Sequence, residues 1–373
     1  MSTADTAARP LPTRRLPPAS QLLLWFFGAV LVVGVAGWLI KEAIESPSRF
    51  IEVSLIGFTN GSIYALVALG YTLVYGIIEL INFAHGDNFM LGSFQTHSIV
   101  TEGAFQLPLY PTTLVLGIPL GTTAVASSSG LQRGYTIAMA LFFSMLMCMT
   151  INVVIERIGY KPLRNQPRLA PLITAIGFSF LLQNIGLIWK NASPQPVPDI
   201  FPKGNVIATH GVSYEWGAFI VIVITIPLLL VLSWLVTSTK AGKAMRATAQ
   251  DQDAAAMMGI NVDRTISFTF ALGGALAGAA GAIYALSIGN TKFDLGFRLG
   301  LFAFTAAVLG GIGNLNGAVL GGVVLGLIAA YNDADFLFNF GARWTNTVIF
   351  SILILILVFR PSGLLGEQTP EGQ

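Results

Sequence analysis

Long apolar runs alternate with short polar segments along most of this chain. A run of about 20 apolar residues is long enough to cross a bilayer as a helix. This pattern predicts ten transmembrane helices, at residues 22–40, 51–76, 83–100, 135–155, 170–190, 217–237, 265–288, 298–313, 316–331 and 343–360. The expected fold is an all-α, polytopic integral membrane helical bundle with about 9–10 transmembrane helices. The pattern leaves open whether 298–331 is one helix or two.

The two ends of the chain differ from its middle. Residues 1–21 are polar and rich in Pro, Arg and Thr, which predicts a disordered cytoplasmic tail. Residues 22–47 are expected to be an extra N-terminal transmembrane helix with a short loop. A cleaved signal peptide is the alternative, but the apolar core exceeds the usual ~7–15 residues and no A-x-A site follows it. The main transmembrane domain then covers 48–367, and a C-terminal tail covers 368–373.

Segment 101–134 is apolar, but it does not have the pattern of a spanning helix. Pro108, Pro111 and Pro119 interrupt it, and proline breaks a helix interior. We predict an external insertion, with a re-entrant course as the alternative.

Composition and charge place most of the chain in lipid. Charged residues make up 10% of the sequence and hydrophobic residues 54%, with a mean hydropathy of +0.72. Soluble domains carry about 25% charged residues. The net charge of +2 is too small to indicate nucleic-acid binding. Lys and Arg concentrate in loops 156–168 and 240–264, which predicts that both loops, and with ten crossings both termini, are cytoplasmic.

Glycines recur at four-residue spacing in the second half of the chain. The examples are Gly274 and Gly278, then Gly313, Gly317 and Gly321, then Gly322 and Gly326. Small residues at this spacing let membrane helices approach closely. The sequence therefore predicts a tightly packed bundle.

One face of the second and third predicted helices carries most of their polar side chains. We call this face the polar stripe; it consists of Asn60, Tyr64, Tyr71, Tyr75, Asn82 and His85. Polar groups are costly against lipid, so the stripe should face the bundle or a wet cavity. It is a candidate lining of a translocation pathway, and hydrogen bonding between helices is the alternative.

The same region is too long for one straight helix. From Asn60 to His85 a helix would run about 38 Å at 1.5 Å per residue, more than the ~30 Å hydrocarbon core. We predict a helix break, with Glu79, Gly86 and Asp87 as the candidate residues. The two carboxylates are interpreted either as polar elements of the pathway or as groups near the cytoplasmic headgroups, where they cost little.

A charged segment, residues 239–262 (TKAGKAMRATAQDQDAAAMMGINV), interrupts the apolar chain. On a helical projection, one face carries Ala241, Ala244, Met245, Thr248 and Ala255, and the opposite face carries Lys243, Arg246, Gln250 and Asp253. A basic amphipathic helix can lie on lipid, but such helices usually bury Trp, Phe or Leu. A small-residue face instead favours docking against a protein partner, with the charges fixing the register.

The sequence lacks the common enzyme motifs. After the GK at 242–243 comes Ala244, where a P-loop requires Ser or Thr, and neither H-E-x-x-H nor G-x-S-x-G occurs. His85, His97 and His210 are too dispersed for a metal site, and Cys148 is the only cysteine. We expect no catalytic residues, no metal and no cofactor bound by this chain.

Five blocks, in order, closely resemble the LivH-type permease of branched-chain amino-acid ABC importers. They are GYTLVYGIIELINFAHGDNFMLGS, IERIGYKPLRNQPRLAPLITAIGFSFLLQN, KAGKAMRATAQDQDAAAMMGINVDRTISFTFALGGALAGAAG, AFTAAVLGGIGNLNGAVLGGVVLG and RPSGLLGE. The resemblance covers about 48–100 and 135–367. It implies a permease fold of the type II ABC importer kind. Helix 22–40 and insertion 101–134 are departures from the family pattern.

The resemblance also implies a function and partners. The chain would be a bacterial inner-membrane permease subunit that passes branched-chain or other amino acids inward. Its partners would be a second related permease, two cytoplasmic ATPase subunits that bind ATP, and a periplasmic substrate-binding protein. The family's ATPase-contacting loop corresponds to Lys240–Asn261, so the coupling residues would be Lys240, Gly242, Lys243, Ala244, Arg246, Ala247, Asp251, Ala255 and Gly259. The alternatives are an importer of urea or amides and an ion-coupled secondary transporter.

Overall fold

Helices form most of the protein. A computed structural model describes residues 33–34, 37–106, 108, 113–115, 130–164, 166–167, 169–209, 211–334, 341–360 and 362–366. The α-helices are α1 (Pro47–Ile78), α2 (Ala84–Glu102), α3 (Gly130–Ile155), α4 (Leu169–Lys190), α5 (Trp216–Ser238), α6 (Lys240–Gln250), α7 (Gln252–Met257), α8 (Val262–Ile288), α9 (Leu295–Gly310), α10 (Leu315–Asp333) and α11 (Thr345–Phe359). The helix positions predicted from 51 onward are confirmed, with ends that differ by a few residues.

The chain divides into two units, 1–51 and 52–373. In the first unit, residues 37–45 are helical. The predicted tail 1–21, most of helix 22–40 and the tail 368–373 lie outside the described residues. Unit 52–373 carries all the sites discussed below.

Fewer helices than predicted have the length and composition of a membrane span. Seven helical stretches do among the described residues: Pro47–Ile78, Gly130–Leu163, Leu169–Lys190, Trp216–Ser238, Val262–Ile288, Leu315–Asp333 and Ala342–Phe359. The predicted helix 83–100 exists as α2, but it carries His85, Asp87 and His97 and is surrounded by other helices. Helix α9, with 16 residues, is shorter than a full span. Both helices are largely buried by their neighbours. For this reason α2 can carry polar side chains, and α9 can be too short to cross a bilayer by itself.

Region 298–331 consists of two helices. Helix α9 ends at Gly310, and α10 begins at Leu315. Gly311 (φ 107°) and Gly313 (φ 95°) form the turn, since glycine adopts positive φ without a steric penalty. Gly313 therefore forms a turn, and the packing role predicted for it was wrong. The Asn314 side chain accepts a hydrogen bond from the Gly317 N–H at 3.0 Å and caps α10.

Short antiparallel strand pairs occur in the connecting segments of this all-α fold. The strands are β1 (Ala104–Gln106), β2 (Thr113–Val115), β3 (Gln195–Pro196), β4 (Asn205–Thr209), β5 (Val212–Glu215) and β6 (Asn290–Thr291), and the pairs are β1 with β2, β3 with β6, and β4 with β5. Pairing satisfies backbone groups that leave the helices. Of the predicted insertion 101–134, residues 101–102 belong to α2 and 130–134 to α3, and the described residues between them include the β1–β2 pair.

Glycines bring the central helices into close contact, as their spacing predicts. A Cβ on Gly278 would lie 2.4 Å from the Ser144 carbonyl oxygen, and one on Gly274 would lie 2.5 Å from that of Cys148. A Cβ on Gly281 would lie 2.2 Å from the Phe89 carbonyl oxygen. Helix α8 therefore packs backbone to backbone against both α3 and α2, which forms the core of the bundle.

Candidate functional site

The predicted helix break separates α1 from α2. Helix α1 ends at Ile78, Glu79 has a left-handed conformation (φ 53°), and α2 begins at Ala84. Glu79 is exposed. Gly86 and Asp87 lie in the first turn of α2, so they follow the break and are not part of it.

Gly86 has a packing role at this position. A Cβ there would lie 2.5 Å from the carbonyl oxygen of Gly296 and 2.7 Å from the Cα of Gly300. Real Cβ atoms do not approach backbone so closely, so glycine is required for α2 to contact α9.

Asp87 is inside the bundle. Its side chain is 0% exposed. One carboxylate oxygen accepts a hydrogen bond from the Ser179 hydroxyl, and Gln183 Nε2 donates to that hydroxyl at 3.2 Å. The other oxygen has no partner among the described residues. Helix–helix packing thus covers the Asp87 carboxylate. Whether it belongs to the pathway or lies at the depth of the headgroups stays a prediction.

The polar stripe separates into two parts with different surroundings. Toward the break, Tyr71 and His85 are buried with their ring centroids 4.7 Å apart. Asn82 is buried too; it donates to Asn152 Oδ1 at 3.4 Å and accepts from the Tyr160 hydroxyl at 3.2 Å. These contacts connect helices within this chain, which favours the helix-packing interpretation for this part of the stripe.

The other end of the stripe is half-buried. Tyr64 packs edge-on against Phe302, with the ring centroids 6.0 Å apart, and interacts electrostatically with Tyr284, Arg298 and Asp333. Asn60, also half-buried, lies about one turn nearer the start of α1. Tyr75 is half-buried too, but it lies on the side of the break. No sequence pattern relates Tyr284, Arg298 or Asp333 to Tyr64. The available signal was that Arg298 and Asp333 are charged residues at the ends of apolar helices.

The charged segment folds into two short helices, α6 and α7, joined at Asp251. Thr239 caps α6 by accepting a hydrogen bond from the Gly242 N–H at 3.1 Å. A Cβ on Gly242 would lie 2.1 Å from the Val236 carbonyl oxygen, so only glycine permits this sharp turn out of α5. The Arg246 guanidinium donates to the same Val236 carbonyl. These contacts fix the direction of the charged segment relative to α5.

The small-residue face of this segment contacts the protein itself. Met245 (3% exposed), Thr248 (1%) and Ala255 (4%) are buried within this chain. The prediction that this face docks on a partner is therefore wrong for these three residues, because amphipathicity shows that a face is covered but not by what. Ala241 is exposed and Ala244 is half-buried, so for these two it stays a prediction. Of the nine predicted coupling residues, Gly242 and Ala255 are buried, Ala244 and Ala247 are half-buried, and Lys240, Lys243, Arg246, Asp251 and Gly259 are exposed.

The exposed face of the segment combines these charges with two large apolar side chains. Met257 is 82% exposed and Met258 is 84% exposed. Gly259 follows in a left-handed conformation (φ 83°). Methionine adapts its shape to irregular surfaces, so this pair is suited to contact with another protein.

A cleft of ≈ 240 Å³ lies between the helix break and the charged segment. Ile78, Glu79 and Leu80 form one side, and Gln250 and Asp251 contribute to the other. The Gln252 side chain donates to the Ile77 carbonyl at 3.1 Å. The charged segment therefore contacts the C-terminal end of α1, the helix that carries most of the polar stripe.

An ion network lies beside this cleft. Glu156, which begins a π-helical turn (Glu156–Tyr160) after α3, is 0% exposed and pairs with Arg164 at 2.5 Å. Arg164 also pairs with Asp263 at 2.5 Å, and Lys161 pairs with Asp263 at 2.8 Å. Ser267 donates to the second Glu156 oxygen at 2.7 Å. The network joins the end of α3 to the start of α8.

In the part of the chain that the structure describes, no group of three or more His, Cys, Asp or Glu side chains could hold a metal ion. The sites above are thus built from helix ends, hydrogen bonds and ion pairs.

Known proteins are similar to this chain in sequence over most of its length. The family model described as "Branched-chain amino acid transport system / permease component" matches residues 54–358. The chain is 36% identical over 328 residues to the high-affinity branched-chain amino acid transport system permease protein BraD of Pseudomonas aeruginosa, covering 87% of this chain and 98% of that protein. It is 36% identical over 326 residues to the permease protein LivH of Escherichia coli K12, covering 86% and 97%. Among solved structures, PsaBC from Streptococcus pneumoniae in complex with Fab is 14% identical with a TM-score of 0.41, over 87% of this chain and 96% of that chain.

Proposed function

This chain belongs to the family of branched-chain amino acid transport system permease components, and we propose that it is the membrane-spanning permease subunit of an ATP-driven importer of branched-chain or other amino acids. The observation that carries the proposal is the 36% identity to a branched-chain amino acid permease over 98% of that protein's length. The seven helices with the length and composition of membrane spans support it.

The proposed assembly supplies what this chain lacks. Its sequence contains no P-loop, so ATP is bound by two separate cytoplasmic subunits. A second, related permease completes the pathway, and a periplasmic substrate-binding protein delivers the amino acid. The protein resides in the bacterial inner membrane, with both termini and the charged segment in the cytoplasm, because Lys and Arg concentrate in the loops of that side.

In the proposed mechanism the charged segment transmits the ATPase cycle to the bundle. Closure of the ATPase dimer pushes on its exposed face. Gln252, bonded to the Ile77 carbonyl, passes this movement to the end of α1. Helix α1 moves with its glycine-packed neighbours and opens the pathway outward beside Asn60 and Tyr64. Hydrolysis of ATP returns the bundle to the inward-facing state.

Reconstitution tests the proposal. Proteoliposomes containing the two permeases, the ATPase subunits and the binding protein should accumulate labelled leucine only when ATP is on the ATPase side. The matched control is a catalytically inactive ATPase subunit in the same complex. Accumulation by this chain alone, driven by an ion gradient, would instead establish the secondary-transporter alternative. Uptake of urea with no uptake of any amino acid would establish the amide alternative.

The exposed methionines give a sharper test of coupling. Met258→Asp should lower ATP-dependent uptake at least about tenfold, since losing an apolar anchor of an interface costs about 2 kcal/mol. Ala208→Asp, which adds the same charge at an exposed position of β4, before α5 and outside the charged segment, is the control and should have little effect. Membrane insertion, followed by the yield of monodisperse protein, should be unchanged for both. Equal uptake by the two variants would remove Met258 from the ATPase contact.

A further inference from the structure

A second pocket lies at the opposite end of α8 from the charged segment. Its volume is ≈ 350 Å³, and it forms where α8 ends and α9 begins. A helix of 27 residues is about 40 Å long at 1.5 Å per residue, so this pocket and the charged segment are on opposite sides of the bilayer. We call it the Arg298 pocket; its lining includes Tyr284, Ile288, Lys292, Asp294, Leu295 and Arg298.

The charges in the Arg298 pocket are not balanced. Lys292 Nζ pairs with Asp294 Oδ2 at 3.0 Å, and the Asp294 side chain is 54% exposed, so its carboxylate is accessible to a further donor. Arg298 interacts with the Tyr284 hydroxyl, and within the described ranges no carboxylate lies at ion-pair distance from it. A guanidinium binds a carboxylate through two parallel hydrogen bonds. The positive end of the α9 dipole, beside Leu295, adds to the attraction for an anion.

An apolar wall accompanies these charges. Ile288, 51% exposed, and Leu295, largely buried, belong to the lining together with Pro194. The pocket thus offers a cation for a carboxylate, a carboxylate oxygen for an ammonium, and a surface for an aliphatic side chain. Its volume is at the lower end of the ~300–1,000 Å³ typical of small-molecule sites. This combination fits a small aliphatic α-amino acid.

The pocket is adjacent to the half-buried end of the polar stripe. Tyr64 interacts electrostatically with both Tyr284 and Arg298. A ligand held at Arg298 is therefore close to Tyr64, a member of the predicted pathway.

We propose that the Arg298 pocket is an entry site in the permease itself, which binds the zwitterionic group of the incoming amino acid. Arg298 binds the α-carboxylate, Oδ1 of Asp294 accepts from the α-ammonium, and the side chain packs on Ile288 and Leu295. This assignment rests on the proposed function, because it takes an amino acid as the substrate. It adds that the permease selects zwitterions over uncharged amides independently of the binding protein.

A cysteine probe measures occupancy directly. The natural cysteine of this chain, Cys148, is buried. Asn290→Cys, at an exposed lining position with no proposed contact to the ligand, therefore provides the one reactive thiol of this chain in the pocket. In the reconstituted complex, L-leucine should slow labelling of this thiol by a membrane-impermeant maleimide. Leucinamide, which lacks the carboxylate, and 4-methylpentanoate, which lacks the ammonium, should protect much less.

Variants of Arg298 complete the test. In the Asn290→Cys background, Arg298→Gln should weaken protection by leucine at least about tenfold, as expected for losing a hydrogen bond to a charged group. Arg298→Lys should retain part of the protection, and Lys203→Gln, an exposed cation outside the pocket, should retain all of it. If the complex imports leucine but leucine does not alter labelling, the entry site is refuted while the proposed function stands. If no amino acid is imported, the proposed function itself fails.

Discussion

Gly326→Ala should destabilise the protein by about 2 kcal/mol or more, the usual scale of overpacking a close contact. A Cβ on Gly326 would lie 2.3 Å from both the nitrogen and the Cα of Gly61, and 2.5 Å from the Gly57 carbonyl oxygen. These are backbone atoms, which cannot rotate away as a side chain can. Helices α1 and α10 would have to separate along their whole crossing. Thermal unfolding followed by size-exclusion chromatography in detergent measures the loss.

The control for this substitution is Gly177→Ala. Gly177 also lies within a helix, but nothing is within 4 Å of the position of its Cβ. Alanine is favoured over glycine in helices by roughly 0.5–1 kcal/mol, so this variant should be as stable as the wild type or slightly more stable. If both variants unfold at the same temperature, α1 and α10 do not cross at Gly61 and Gly326.

The sequence predicted the helices well because two quantities determine them. Apolar length fixes which segments cross a bilayer, and the spacing of small residues indicates where helices approach. The same glycine pattern did not show that Gly313 belongs to a turn. Glycine favours both close packing and positive φ, so residue type alone does not distinguish the two uses.

The surroundings of the polar stripe and of the charged segment were predicted only in part, because they depend on contacts between distant parts of the chain. Helical periodicity places side chains on one face of one helix, but the neighbours of that face change along its length. Asn82 therefore bonds to Asn152 inside the bundle, whereas Tyr64 interacts with Arg298 near the bundle's end. Such long-range pairs have no local pattern. The buried face of the charged segment shows the same limit, because Met245 is covered by this chain.

Arg164→Ala should destabilise the protein as much as Gly326→Ala does. The cause here is a buried charge without its partner, whereas in Gly326→Ala it is a steric clash. Glu156 is fully buried, and its partner Arg164 has a side chain that is 21% exposed. Removing one member of a buried ion pair leaves an uncompensated charge and costs about 3–5 kcal/mol. Because Arg164 is partly exposed and Ser267 still bonds to Glu156, we expect the lower end of this range, measured as loss of thermal or denaturant stability in detergent.

Two further variants separate the buried charge from a general effect of losing a cation. Lys161→Ala removes an exposed ion pair, in which the side chain of Lys161 is 49% exposed and that of Asp263 is 53% exposed. The substitution should change the free energy of unfolding by less than about 1 kcal/mol. Adding Glu156→Gln to Arg164→Ala neutralises the stranded carboxylate, so the double variant should recover much of the lost stability. A double variant no more stable than Arg164→Ala would show that Arg164 stabilises the junction of α3 and α8 through its packing or through Asp263. In that case the buried carboxylate of Glu156 is not what requires an arginine at this position.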